Sequence, residues 1–246
     1  MKLQELKDAY SVCIIDCGGR SKGSGFVIKF ADRLYVMTDY HVLFNRNGNP
    51  YHDDCTLHFT NQNDSYNQSL FFRVDLVNTK VFSDEGLDIA TFEVGNENTT
   101  LEIGNGSLAD ITPFELSKVQ VSSLWGIQLY LYGYPTSLHP EAPFEIKPFI
   151  TNGIMSSYDE DVCRFVTNIP AFYGNSGSPA IFINESGEIQ VIGIVQQLIH
   201  FRLEWRNYYE AEAVRSDWQN SGYSICLDVN KLITFLQKNV TNKSKS

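Results

Sequence analysis

An all-β fold is what this sequence predicts, and three observations predict it. Short runs of β-branched, aromatic and alternating apolar residues recur along the chain, and Gly, Asn and Asp turns separate them. Apolar residues at helical spacing mark one closing stretch, Asp228 to Asn239. At 246 residues, 43% hydrophobic and 20% charged, the chain has the composition of a packed globular protein with one substantial core or two smaller ones.

Taken in order, Ser11 to Ile15 reads as a strand, and a glycine-rich turn, Gly18 to Gly25, leads into a second, Phe26 to Phe30. A phosphate cradle would need a helix after such a turn; here a β-branched strand follows, so the hairpin reading wins. Arg33 to Thr38 is a third strand, ending in Asp39-Tyr40-His41-Val42-Leu43. Thr56 to Phe59 and Leu70 to Val74 flank a polar loop within 53–72, and a turn at Ser83 to Gly86 separates Val77 to Phe82 from Leu87 to Val94. The polar 99–110 stretch and Ile111 to Ser117 lead into the second unit, dividing the chain into 1–114 and 115–246. Ile127 to Tyr132, Phe144 to Ser157, Arg164 to Thr167, Ala180 to Ile183 and Ile189 to Val195 supply its strands.

The formal charge of -10 argues against a nucleic-acid binder, which needs clustered cations to displace counterions. No signal-peptide pattern and no apolar run of membrane-spanning length is seen, so a cytoplasmic protein is expected. The five cysteines follow neither a zinc nor a disulfide spacing, and most read as buried thiols, with no metal and no cofactor implied. Asn-x-Ser/Thr sequons such as Asn98-Thr99-Thr100 carry no meaning without secretion.

Chemistry concentrates in Tyr173-Gly174-Asn175-Ser176-Gly177-Ser178-Pro179, a glycine-flanked serine before an apolar strand. A serine hydroxyl is a weak nucleophile at neutral pH, so it needs a base and donors for the developing oxyanion. His41 sits where a strand gives way to a turn. An isolated histidine there is more often structural, and His52, His58, His139 and His200 keep that reading. Asp88, alone, would be a turn residue or cap. The chain order His41, Asp88, Ser176 changes the odds, because a carboxylate that fixes the imidazole tautomer frees the other ring nitrogen to take the serine proton.

At these residues the chain resembles the trypsin-like (chymotrypsin-fold) serine proteases, most closely the bacterial HtrA-type branch. The resemblance rests on Gly23-Ser-Gly-Phe-Val with Met37-Thr-Asp-Tyr-His-Val42, on Leu87-Asp88-Ile89-Ala90 and on Gly174-Asn-Ser-Gly-Ser-Pro179. The α/β-hydrolase elbow fits poorly, since its triad runs Ser, acid, His. The resemblance implies two six-stranded antiparallel β-barrels and a C-terminal helix, with His41 and Asp88 on the first barrel and Ser176 on the second. Ser176 would be the nucleophile, His41 the base and Asp88 its orienting acid. The Gly174-Asn175-Ser176 loop would form the oxyanion hole, chiefly through the N–H groups of Gly174 and Ser176.

Departures from the pattern narrow the expectation. Asn175 replaces the aspartate that pairs with a newly cut N-terminus in digestive members, which argues against that mode of activation. By resemblance, Pro170 floors the primary pocket, and Val195, Gln196, Gln197, Gly222 and Tyr223 wall it. No acid stands at Pro170, so an uncharged first residue is expected rather than Arg or Lys. The 199–221 segment, rich in Trp, Tyr and both charges, reads as a short helix or long hairpin, either self-packed or a docking surface for a regulatory partner. The PDZ domain usual in the HtrA branch is not seen. Besides an active endopeptidase on protein or peptide substrates, a scaffold and a latent, partner-activated peptidase remain as alternatives.

Overall fold

The computed structural model describes residues 2–6, 9–20, 22–60, 69–103, 106–138, 147–206 and 213–241. The tip of the 53–72 hairpin, His139, the start of the strand expected from Phe144 and the tip of the 199–221 segment lie outside them.

The first half contributes β1 (Val12–Asp16), β2 (Lys22–Phe30), β3 (Arg33–Thr38), β4 (Asp54–Phe59), β5 (Leu70–Asp75), β6 (Val81–Asp84), β7 (Ile89–Val94) and β8 (Thr99–Ile103). They form one antiparallel sheet in the order β6-β7-β3-β2-β1-β4-β5-β8. Its register follows the apolar alternation: Phe26 stands opposite Met37 and Val36 opposite Phe92, all buried. Where a six-stranded barrel was expected, the described residues make an eight-stranded sheet. The short strands β6 and β8 extend it at its two edges: β6 runs from the end of the Val77 to Phe82 stretch into the turn after it, and β8 lies in the polar 99–110 stretch.

The second half is the closed six-stranded barrel: β9 (Gln128–Gly133), β10 (Phe149–Asp159), β11 (Arg164–Thr167), β12 (Pro179–Ile183), β13 (Ile189–Arg206) and β14 (Ala213–Asp228), in the order β10-β11-β14-β13-β12-β9. The 199–221 segment is the hairpin alternative, because β13 and β14 stay paired from Gly193 opposite Asp228 out to Arg206 opposite Ala213. Phe201 and Trp218 on this arm are exposed, so they do not pack into the barrel. A closing helix, Val229–Leu236, is capped by Asp228, whose carboxylate accepts from Asn230 N–H, and it buries Val229, Leu232, Ile233, Phe235 and Leu236. No helix of the described residues is long and apolar enough to cross a membrane. Cys13, Cys17, Cys55 and Cys226 are buried free thiols, and Cys163 is a half-buried one.

The halves share a core. Val12, Phe26, Met37 and Ile89 of the first belong to the same buried cluster as Leu131, Tyr134, Ile181 and Ile194 of the second. Each large side chain so buried contributes about 1.5–3 kcal/mol, so the two halves are held in one register. Tyr134 strengthens the seam, its hydroxyl lying 3.1 Å from Thr60 N and 3.2 Å from Thr60 O.

Candidate active site

β3 ends at Thr38, and the single helical turn Tyr40–Leu43 that follows carries His41. Its Nδ1 lies 2.9 Å from Asp88 Oδ2 and 3.1 Å from Oδ1, and its backbone N–H donates to Asp88 Oδ1 at 3.1 Å. An ionised Asp88 only accepts, so Nδ1 is the donor and Nε2 is left free to take a proton. Asp88 sits at φ +54°, a left-handed conformation that Asp tolerates better than most residues, in the turn between β6 and β7. Its N–H donates to Glu85 O at 3.1 Å, and Leu87 N–H donates to Asp84 Oδ1 at 3.0 Å.

Gln196 locks this turn from the second barrel. Its Nε2 donates to Leu87 O (2.5 Å) and Asp88 O (3.0 Å), and its Oε1 accepts from Arg164 Nε (3.1 Å). The β13–β14 register shifts between Val195 and Gln197, which places Gln196 in a bulge that re-aims its side chain. The sequence placed Gln196 on the pocket wall; its side chain, 6% exposed, is mostly spent on the acid turn.

The loop carrying the candidate nucleophile, Ser176, turns on Gly174 (φ +98°) and Gly177 (φ +86°). A Cβ on Gly174 would collide with Tyr134 O and Thr136, and one on Gly177 with Ser24 O and Thr38 Oγ1. Ser24 of β2, quoted in a motif but given no role by sequence reasoning, grips this loop. Its N–H donates to Ser176 O at 2.8 Å, and its hydroxyl donates to Gly174 O at 2.6 Å while accepting from Tyr134 N–H at 3.0 Å. Asn175 N–H is committed to Phe172 O at 3.0 Å, which takes Asn175 out of the expected set of oxyanion donors. Among the described residues, no protein acceptor takes the N–H groups of Gly174 and Ser176.

A cleft of about 690 Å³ is lined by His41, Asp88, Gly174 and Ser176 together with Val195, Gln196 and Gln197. Pro170, Gly222 and Tyr223 do not line it; Ala171, Leu198 and Ile225 stand there instead. No hydrogen bond joins Ser176 to His41 among the described residues.

Behind the pair lies Asp39, fully buried, with no hydrogen-bond partner for either carboxylate oxygen. Burial, then the charge of Asp88, holds its carboxyl well above the usual carboxylate range. The Gly177 N–H that would offset this is committed to Val195 O at 2.9 Å. Cys226 faces the same buried acid, and burial pushes its thiol up as well. Donor atoms of Asp39, His41 and Asp88 lie within 4.8 Å of one another. The bond between His41 and Asp88 already occupies two of them.

The chain belongs to the family of trypsin-like peptidase domains, whose model matches residues 23–194. Its structure is similar to the crystal structure of a serine endoprotease from Yersinia pestis, with a TM-score of 0.52 over 94% of this chain and 62% of that one. At 16% identity that likeness speaks for the chymotrypsin-like fold, and this chain spans about 62% of the other's length. No curated protein matches the sequence.

Proposed function

We propose that this chain is a serine endopeptidase that hydrolyses peptide bonds through an acyl-enzyme at Ser176. The observation that carries the reading is the two-point hold of His41 on Asp88, in the same cleft as Ser176. Ser176 Oγ attacks the scissile carbonyl as His41 Nε2 takes its proton, and Asp88 stabilises the imidazolium. The uncommitted N–H groups of Gly174 and Ser176 stabilise the oxyanion. His41 then gives the proton to the leaving amine, and water, activated by the same imidazole, releases the acid. No metal or cofactor enters these steps, and with Asp88, already held by His41, the single acid lining the cleft, the reading carries no preference for Arg or Lys.

Labelling with a fluorophosphonate tests this. One adduct per wild-type chain, lost in Ser176→Ala, supports the reading; a wild-type protein that stays unlabelled with and without candidate partners contradicts it.

A second reading is favoured by the missing Ser176–His41 hydrogen bond: a peptidase that is latent until substrate or a partner tightens the site. The β13–β14 arm, with His200 lining the cleft and Phe201 and Trp218 exposed, is the proposed partner surface. Labelling that appears only on addition of a partner would distinguish it.

A further inference from the structure

The charges around the cleft oppose those of the chain. The protein carries a formal charge of -10, yet three cations, Lys22, Arg46 and Arg164, line the cleft against a single acid, Asp88. Asp88 is turned onto His41, and Lys22 is paired with Asp16 at 2.9 Å. Arg164 differs from both. It is half-buried on β11, its Nε is spent on the Gln196 amide at 3.1 Å, and among the described residues it forms no salt bridge. Its two terminal nitrogens have no protein acceptor among those residues, so a planar fork of donors stands in the cleft without a counter-ion.

A guanidinium removed partly from water and left unpaired is costly, and a carboxylate entering in two-point geometry relieves that cost. Arg suits the task better than Lys, because its fork matches both carboxylate oxygens at once. Arg46 adds a positive field at long range.

We propose that the cleft selects peptides with an aspartate or glutamate close to the scissile bond, and that Arg164 is the residue that pairs with it. This rests on reading the cleft as a peptidase site, and the test keeps the two apart. Peptides identical except for Glu or Gln, scanned through the positions flanking the cleaved bond, are compared by kcat/KM on the wild type and by binding to the Ser176→Ala protein. A preference for Glu of about 10- to 100-fold is expected at one position, the scale of a charged hydrogen-bonded pair. Arg164→Gln brings the ratio close to one, and Arg164→Lys keeps part of it. Because Glu and Gln are compared on the same protein, a general loss of activity through Gln196 cancels. Equal handling of Glu and Gln at every position, or a preference that survives in Arg164→Gln, overturns the proposal. Selective binding of the Glu peptide without fluorophosphonate labelling would uphold it and sink the peptidase reading; labelling without selection would do the reverse.

Discussion

The two halves supply unlike parts of the site and hold them differently. In the first, the proposed base and acid stand on short turns after β3 and before β7 and fix each other through three contacts between His41 and Asp88. In the second, the loop of the proposed nucleophile is fixed by its neighbours, above all by Ser24, 150 residues away from Gly174. Gln196 returns the favour by holding the Asp88 turn from β13. Each half thus positions the other's proposed reactive residue, and the shared core keeps the seam from sliding.

This contrast can be broken in order of severity. Asp88→Asn replaces one accepting oxygen with an NH2 donor, so the side chain no longer dictates the His41 tautomer, and kcat should fall by about 10⁴-fold with little change in KM; a loss under tenfold in peptide kinetics would mean that Asp88 does not orient the base. Ser24→Ala leaves Gly174 O and Tyr134 N–H unpaired and lets the nucleophile loop shift. We expect roughly a 10²-fold loss in kcat, the scale of a small misplacement of reacting groups. Circular dichroism and thermal melting should show the fold retained, and unchanged turnover would remove Ser24 from the positioning role. Gln196→Ala should cost less, about tenfold, because the Asp88 turn keeps its own hydrogen bonds. An effect on peptide affinity alone would return Gln196 to the pocket wall.

The smallest effect concerns the acid that neither half engages. The Asp39 carboxyl is held above its unfolded value of about 3.9, so between the two values the folded state binds a proton that the unfolded state releases. Its contribution to stability is therefore greatest below the unfolded value and is lost as pH rises towards the folded one. Asp39→Asn should melt higher than wild type at pH 8 by a few degrees and by less at pH 4, since about 1 kcal/mol corresponds to roughly 2–4 °C at this size. Melting curves that differ equally at both pH values would show that Asp39 is not the titrating group.

How much of this was legible in the sequence depended on whether the signal was local. Strands such as Arg33 to Thr38 and the barrel strand Arg164 to Thr167 carry their apolar alternation with them, and the structure gives them the same bounds. Glycines 174 and 177 announced a tight turn. The role of Ser24 was not legible, because its partners lie on another strand and no spacing rule links them. Arg164 looked like any residue opening a strand, and its lack of a counter-ion appears only once the cleft is assembled. Asp39 read as part of a turn, since burial at a strand end depends on what packs over it. Gln196 was placed on the pocket wall by the resemblance, and a bulge turns its side chain toward Asp88.

The acyl-enzyme at Ser176 is tested most directly by mixing enzyme with an activated p-nitrophenyl ester and following p-nitrophenol release on the millisecond scale. The account predicts a burst of one equivalent per active chain followed by slower turnover, with the burst absent in Ser176→Ala. A linear release without a burst, together with no ester adduct on Ser176 in the intact mass, would contradict it.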